Sequence, residues 1–339
     1  MSADIENAVF ASQDGAGWTG LGLAIPEAAA KDPRKIAGLL DALWSVESKE
    51  VFYKTSDGKF RPISNTRAQV RSDSGDVLSV TSENRYHIDR RQPLDILETF
   101  RDDLNKNNLM ISHAAVLNGG KIITVSARVP DYDFKVGPGT LRDAIHAFIS
   151  LSTGYDKIHG TPCVPNGIRE VCCNTHAMNI SEAEEAGTLR KFRASQKLEA
   201  DSLTNLLHGV AGVFEKQKTE YNAMLNKKMS EAEVSKFFAD TLEINIADLG
   251  KTDKNGVKLV STRSENMLRA LAAAYKNAPG ATQGNAWGAF NSVTYYATHE
   301  KSCRATDRET AVNARIASNL FGDAAKLKAR AFDLLKVAA

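Results

Sequence analysis

The sequence is poor in cysteine and has no long apolar run. Only 4 of its 339 residues are cysteine, too few for the disulfide framework of a secreted scaffold. No apolar stretch approaches the roughly 18–20 residues that a membrane-spanning helix needs. The N-terminal segment MSADIENAVF carries acids where a secretory signal carries bases. These absences argue against a disulfide scaffold and a membrane span, and we expect a cytoplasmic location.

Motifs for nucleotide cofactors and catalytic metals are also lacking. The glycine-rich stretch at residues 11–25 contains no GxxxxGK sequence and follows no long apolar strand, so it matches neither a P-loop nor a Rossmann turn. Metal-dependent nucleases need clustered carboxylates. The pair Asp102 and Asp103 reads as the surface of a helix end, and Asp131 and Asp133 read as loop residues. We therefore expect no cofactor and no catalytic metal.

A strong charge of either sign is missing, because the formal net charge is +2. The charge is nevertheless uneven along the chain. Residues 1–60 hold 6 Lys and Arg against 9 Asp and Glu, whereas residues 186–228 hold 8 against 4. A local basic surface is compatible with this balance, and the alternative interpretation is an ordinary solvated helix face.

The first half of the chain has the alternation and turn residues of β-structure. Asp57-Gly58 predicts a hairpin within residues 51–63, and Asn118-Gly119-Gly120 predicts a second one within residues 109–129. Strands are also predicted at residues 141–153 and 168–171. Helices are predicted after Asp32, which can cap a helix with proline at its first position, and over residues 93–105.

The second half of the chain has helical periodicity. Apolar residues recur at three- and four-residue spacing from Ser181 to the C-terminus, and Ser230 with Glu233 forms a capping-box pattern. We predict an α+β fold. Its strand-rich core domain, with β-hairpins packed on helices, covers residues 1–180, and a helical domain covers residues 181–339.

The stretch at residues 161–180, TPCVPNGIREVCCNTHAMNI, marks the change from strands to helices. A zinc site could use Cys163, Cys172, Cys173 and His176, but zinc sites prefer well-spaced pairs, and adjacent cysteines point in different directions. A nucleophile pair of Cys173 and His176 would lack a nearby oxyanion loop. Buried structural cysteines at the start of a helix are the favoured interpretation, with a cysteine- or metal-dependent enzyme as an alternative.

Basic side chains are spread over the predicted strands and the first long helix. Such a set can follow a phosphate backbone, with aromatic rings such as Tyr86, Tyr155 and Phe192 stacking on bases. A helix N-terminus near residue 174 could bind a phosphate as well. The predicted nucleic-acid contacts are Arg67, Arg71, Lys121, Arg128, Arg142, Lys157, Arg169, Asn174, Thr175, His176, Arg190, Lys191 and Arg193.

Several segments resemble a family of phage- and plasmid-borne proteins catalogued as a domain of unknown function. The matching segments are GWTGLG, VRSDSGDVLSVTSENRYHI, NGGKIITVSARVP, VCCNTHAMNI, WGAFNSVTYYATHE and NLFGDAAKLKARAFDLL. Thr19 departs from the family, in which many members have histidine after the tryptophan. The order of a hairpin, a third strand and a long helix further resembles the single-strand annealing superfamily of RecT, Red-beta and Erf.

The second resemblance implies a function without catalysis or a nucleotide cofactor. The resemblance to this superfamily implies a homo-oligomeric ring or helical filament. A basic groove between the hairpin and the helices would hold single-stranded DNA and then the annealed duplex intermediate. A phage exonuclease or a host single-strand-binding protein is an implied partner, in the cytoplasm of a bacterial host. The alternatives are a phage-encoded interaction module that binds a host factor and the cysteine- or metal-dependent enzyme.

Overall fold

The structure is a computed structural model that describes most of the chain. It covers residues 22–82, 92–105, 107–137, 144–155, 161–169, 190–192, 201–278, 281–303 and 311–336. Residues 103, 161–168, 190–192 and 201–210 are described by their backbone alone. Among the described residues, no helix is long and apolar enough to cross a bilayer.

The fold is α+β, as predicted, with strands concentrated in the N-terminal half and helices in the C-terminal half. The strands are β1 (Leu23–Ala24), β2 (Val46–Lys54), β3 (Phe60–Arg71), β4 (Val77–Ser82), β5 (Ile111–Leu117), β6 (Ile122–Arg128), β7 (Phe134–Lys135), β8 (Ala144–Gly154), β9 (Thr161–Arg169) and β10 (Arg190–Phe192). The helices are α1 (Pro33–Leu39), α2 (Pro93–Asn105), α3 (Asp201–Asn226), α4 (Glu231–Thr241), α5 (Thr262–Asn277), α6 (Ala286–Tyr295), α7 (Ala311–Leu320) and α8 (Asp323–Leu335).

The strands form two antiparallel sheets. The larger sheet has the order β1-β5-β6-β8-β9-β10, with β7 also paired to β8. The smaller sheet has the order β2-β3-β4. The hairpin of β5 and β6 turns at Asn118, Gly119 and Gly120, whose φ angles of 53°, 66° and 97° are all positive. The predicted turn is therefore confirmed, and its glycines provide the left-handed backbone that it requires.

Helix α1 begins as predicted and ends earlier than its apolar pattern suggests. The Asp32 carboxylate accepts hydrogen bonds from the N–H groups of Arg34 and Lys35, at 3.0 and 3.2 Å, and Pro33 occupies the first turn. Asp41 then adopts a φ of 51°. This left-handed residue stops the helix, so the chain can enter β2 at Val46.

Two sequence predictions near the middle of the chain need correction. Residues 190–192 were predicted as helix, yet they form β10, in which Arg190 and Lys191 pair with Cys163 and Pro162 of β9. Ladder pairing here overrides the helical spacing of apolar residues. Strand β9 starts at Thr161, seven residues before the predicted strand at 168–171. The sequence hid this earlier start because Pro162 and Pro165 are poor strand indicators. The helix predicted to start at Cys172 lies outside the described residues.

The helices of the C-terminal half agree with the predicted pattern where they are described. The capping box is complete, because Ser230 accepts from the Glu233 N–H at 3.3 Å while the Glu233 carboxylate accepts from the Ser230 N–H at 2.7 Å. Such reciprocal bonds satisfy two N–H groups that the first turn leaves unpaired.

One continuous apolar core joins the larger sheet to the helices. Tyr221 of α3 lies at its centre, with ring centroids 4.8 Å from Trp287 and 6.2 Å from Phe134. Both Tyr221 and Trp287 are fully buried. The core contains residues from both sides of position 180, and the division into domains 1–180 and 181–339 stays a prediction.

Candidate nucleic-acid interface

The structure places the predicted DNA contacts in three groups. Arg67, Arg71, Lys121, Arg128 and Arg169 have described side chains, whereas Arg190 and Lys191 are described only as backbone on β10. The remaining predicted contacts, Arg142, Lys157, Asn174, Thr175, His176 and Arg193, lie outside the described residues.

Arg71 holds the smaller sheet against the turn of the larger one. Its guanidinium lies 4.5 Å from the ring centroid of Trp44, donates to the Gly119 carbonyl at 3.3 Å and pairs with Asp73 at 2.6 Å. The bond from Arg71 lowers the pKa of Asp73 below its ordinary value, so the pair stays charged. Gly120 fits closely here, because a Cβ atom would come within 3.1 Å of both Arg71 and Trp44. The side chain of Arg71, 14% exposed, is engaged in joining the two sheets.

Arg128 belongs to a compact cluster with Asp133 and His146. Arg128 Nη2 donates to Asp133 Oδ2 at 2.6 Å, His146 Nδ1 lies 3.0 Å from the same oxygen, and the Ala147 N–H donates to Oδ1 at 2.8 Å. Burial raises the pKa of Asp133, but bonds from His146, the Ala147 amide and Arg128 outweigh it, so that the pKa lies below its ordinary value. The cluster fixes the loop between β6 and β7 to strand β8.

Arg169, at the end of β9, is inside the protein. It is 2% exposed, and its guanidinium carbon lies 5.9 Å from the ring centroid of Trp287. A guanidinium over a tryptophan face is attracted to the ring, and in this position it packs sheet against α6. Direct contact with a DNA backbone would require this part of the core to open.

Arg67 and Lys121 are partly exposed, as Arg71 and Arg128 also are. The Arg67 side chain is 32% exposed and lies 3.7 Å from a Glu50 oxygen. Lys121 is half-buried at the β5–β6 turn, where its carbonyl accepts from the Tyr155 N–H at 2.7 Å. The side chain of Arg67 is more exposed than those of Arg71, at 14%, and Arg128, at 21%, and DNA contact by any of the five stays a prediction.

Among the residues that the structure describes, the most exposed aromatic side chains lie on the hairpin formed by residues 51–63, which we call the arm. Phe52, Tyr53 and Phe60 are 49%, 48% and 69% exposed, and Ile63 is 41% exposed. Strands normally bury one face, so an arm that exposes apolar groups on both faces indicates an interaction surface.

Cross-strand pairing assigns the arm residues to two faces. Tyr53 is paired with Arg61, and the Thr55 N–H donates to the Lys59 carbonyl at 2.8 Å. Because residues directly opposite each other share a face, Tyr53, Lys59 and Arg61 lie together on what we call the tyrosine face.

The opposite surface, which we call the phenylalanine face, carries the more apolar side chains. Phe52 is paired with Pro62, and Lys54 with Phe60. Below the arm the register shifts between Glu50 and Phe52. Such a bulge bends a hairpin, and the arm therefore departs from the part of the sheet that packs on the body.

The sequence predicted this hairpin but not the exposure of its aromatic side chains. The segment VFYKTSDGKFRPI alternates aromatic and basic residues, and that composition is the available signal for a binding surface. It holds three Lys and Arg against one Asp. The apolar residues lack a uniform period of two, so the sequence could not show that both faces are exposed.

A comparison with protein families identifies most of the body of the chain. A family model described as "Domain of unknown function (DUF932)" matches residues 77–318. The chain belongs to the DUF932 family. The predicted resemblance to a domain-of-unknown-function family is thereby confirmed. No curated protein and no solved structure matches the chain.

The DUF932 match and the arm occupy different parts of the chain. The matched region begins at residue 77 and contains Arg128 and Arg169, whereas the arm ends at residue 63. The match covers β4 to β10 and helices α2 to α6 with most of α7, and it does not include the arm.

The interior around α6 contains polar side chains. Lys328 is 2% exposed and donates to the Asn319 side chain at 3.0 Å. Arg315 donates to the carbonyls of Thr298 and His299, at 3.0 and 2.7 Å. Asn291 is 4% exposed, and neither of its amide atoms finds a hydrogen-bond partner among the described residues. Buried amides without partners are rare in folded proteins.

The structure describes few of the residues on which the metal and cysteine alternatives depend. Within the described ranges, no group of three or more His, Cys, Asp or Glu side chains could hold a metal ion. Cys172, Cys173 and His176 lie outside those ranges, and Cys163 is described by its backbone alone. The cysteine- or metal-dependent enzyme stays an untested alternative.

Proposed function

We propose that this DUF932 protein binds single-stranded DNA and anneals complementary strands without nucleotide hydrolysis, as an oligomer in the cytoplasm of a bacterial host. The resemblance to RecT, Red-beta and Erf implies the annealing activity. The observation that carries the proposal is the tyrosine face of the arm. There an exposed aromatic ring, Tyr53, stands directly opposite an exposed cation, Arg61.

This pairing suits a single strand better than a duplex. An unstacked base can lie on the Tyr53 ring, a contact worth about 1–3 kcal/mol per base in proteins that bind single strands. Arg61 and Lys59 can neutralise the phosphates on either side of that base. Contacts to backbone and base face leave the Watson–Crick edge available, as strand annealing requires.

A single arm offers few contacts to DNA, so tight binding requires several arms acting together. Several arms in one oligomer would bind the same strand, and linked weak sites raise the apparent affinity well above that of each site. The near-neutral net charge of +2 is then compatible with DNA binding. A phage exonuclease or a host single-strand-binding protein is the proposed partner that supplies or hands over the strand.

The second candidate function is an interaction module for a host protein. The exposed Phe52 and Phe60 favour it, because exposed aromatic groups are typical of protein interfaces. The two functions differ in salt dependence. Phosphate binding weakens steeply between about 50 mM and about 200 mM salt, whereas an apolar protein contact does not.

The test measures oligonucleotide binding and strand annealing for the wild type and two variants. We expect the double variant Lys59→Ala/Arg61→Ala to bind more weakly and to lower the slope of log affinity against log salt by about 1.4, which corresponds to two lost phosphate contacts on a single strand. The control variant is Arg269→Ala, whose side chain is 74% exposed on α5. It should bind and anneal like the wild type.

Two results would reject the proposal. One is an absence of salt-sensitive binding to single strands at about 50 mM salt, where phosphate contacts are strongest. The other is annealing that the double variant and the wild type perform equally well. An oligonucleotide with abasic sites separates the two contributions, since it keeps the phosphates and removes the bases that would stack on Tyr53.

A further inference from the structure

The phenylalanine face of the arm carries a cation as well as aromatic rings. Phe52 and Phe60 are 49% and 69% exposed. Lys54 is directly opposite Phe60 and is exposed to solvent. Because directly opposite residues share a face, an open ring and an open ammonium group lie side by side. Tyr53 and Arg61 form the same combination on the tyrosine face.

The positive charge of this face is not neutralised by the neighbouring acids. Asp57, at the tip, is the only acid in residues 51–63, and it pairs with Lys59 of the tyrosine face at 3.4 Å. Glu50, the next acid along β2, lies below the bulge and pairs with Arg67 at 3.7 Å. Among the described residues, Lys54 forms no ion pair with a carboxylate. The phenylalanine face therefore presents an open cation, which attracts an anionic ligand.

Rings combined with a cation suit an unpaired nucleic-acid strand. Phe52 and Phe60 are diagonal neighbours, about 7–8 Å apart in an antiparallel pair, so each ring can stack on one base. Every base has a face that can stack in this way, and the Lys54 ammonium can bind the phosphate between two bases. A purely apolar partner would instead cover that ammonium without an anion to pair with it, which costs free energy.

The two faces of the arm can hold ligands independently of each other. Tyr53 and Lys54 are neighbours on β2, and Phe60 and Arg61 are neighbours on β3. Neighbouring side chains of a strand point to opposite sides of the sheet. A strand of nucleic acid on the tyrosine face therefore leaves the phenylalanine face open.

We propose that the phenylalanine face binds a second unpaired nucleic-acid strand, so that one arm holds two strands at the same time. Phe52 and Phe60 stack on bases, and Lys54 binds a phosphate. This inference rests on the proposed function, because it extends strand binding from the tyrosine face to the opposite side of the arm. Two strands on one arm are held at a high effective concentration, and their segments beyond the arm are free to pair.

The test counts bound strands per full-length chain, with a labelled oligonucleotide of about four thymidines that is too short to cover both faces. At about 50 mM salt, where phosphate contacts are strong, the wild type should bind two. The phenylalanine-face variant Lys54→Gln/Phe60→Thr should bind one, and so should the tyrosine-face variant Lys59→Ala/Arg61→Ala. A chain with all four changes should bind none. The four replaced side chains are exposed, so every variant should unfold at the wild-type temperature.

Single changes in the tyrosine-face variant separate the contributions to the second site. Adding Lys54→Gln should lower the slope of log affinity against log salt by about 0.7, which corresponds to one lost phosphate contact on a single strand. Adding Phe60→Thr, which keeps a residue suited to a strand, should weaken binding about fivefold or more, because one base loses its ring. The control Val257→Thr changes an apolar residue that is 62% exposed outside the arm. It should keep both sites of the wild type.

The possible counts distinguish this inference from the proposed function. One strand per wild-type chain, lost in the tyrosine-face variant and kept in the phenylalanine-face variant, would overturn the second site and leave the proposed function intact. A phenylalanine-face variant that still binds two strands would also overturn it, and the exposed Phe52 and Phe60 would then fit a protein partner. A wild type that binds no strand would reject both proposals.

Discussion

The β2–β3 hairpin and the β5–β6 hairpin are built from the same antiparallel ladder but lie in opposite environments. Almost every residue of β6 is buried, whereas the arm exposes its rings and cations to solvent. Arginines follow the same division, since Arg71, Arg128 and Arg169 contact carboxylates or aromatic rings within the body. The difference is that these three arginines are engaged within the fold, whereas Lys59 and Arg61 on the arm are exposed to solvent.

The largest expected effect compares a buried aromatic residue with an exposed one. Trp287→Ala would remove a ring that is fully buried against Tyr221 and Arg169, and we expect it to lower the free energy of unfolding by about 3–5 kcal/mol. Tyr53→Ala should change it by less than about 0.5 kcal/mol while weakening single-strand binding. Denaturant unfolding measures the stability of both variants, and oligonucleotide binding is measured separately. Equal losses of stability would contradict the distinction between arm and body.

The next effect compares two arginines. Arg71→Ala should lower the free energy of unfolding by about 1.5–3 kcal/mol, because it removes charge-assisted hydrogen bonds and the contact with Trp44. Arg61→Ala should leave stability unchanged and reduce binding to single strands. Thermal unfolding and oligonucleotide binding of both variants form the test, and a reversed pattern would contradict the assignment of roles.

Sequence reasoning was strongest where turn residues fix the backbone. The glycines near position 119 and the Asp57-Gly58 pair identified both hairpins, and Asp32 identified the start of α1. It was weakest for burial, because an arginine at a strand end such as Arg169 is typical of a surface. Only the packed structure shows that Arg169 lies over Trp287, and likewise that no element covers the arm within the described residues.

The dependence of stability on pH tests the Asp133 cluster. The pKa of Asp133 is lowered in the folded protein, so its contribution is fully present above the unfolded carboxyl pKa near 3.9 and is lost as pH falls through the lower folded value. Asp133→Asn should remove part of the acid-induced loss of stability below about pH 4, and it should cost about 1–2 kcal/mol at neutral pH. Urea unfolding across this pH range measures the effect. If the variant loses as much stability at acid pH as the wild type does, the Asp133 cluster does not contribute as described.

The smallest expected effect concerns Asn291. An amide with unsatisfied buried atoms costs free energy, so Asn291→Leu should be neutral or raise the free energy of unfolding by about 1 kcal/mol. A marked loss of stability would show that the amide has a polar partner in solution. Calorimetry of the variant decides between these outcomes, with Ser292→Ala on the same helix as the control.

The most direct test removes the arm and keeps the body. Glu50 and Arg67 are paired at the point where the arm begins, so residues 51–66 can be replaced by Asn-Gly, the two-residue turn that suits a tight hairpin. We predict that this variant unfolds at the wild-type temperature but loses salt-sensitive binding to single strands and strand annealing. Full single-strand binding and annealing by the armless protein would contradict the central claim that the arm carries the function.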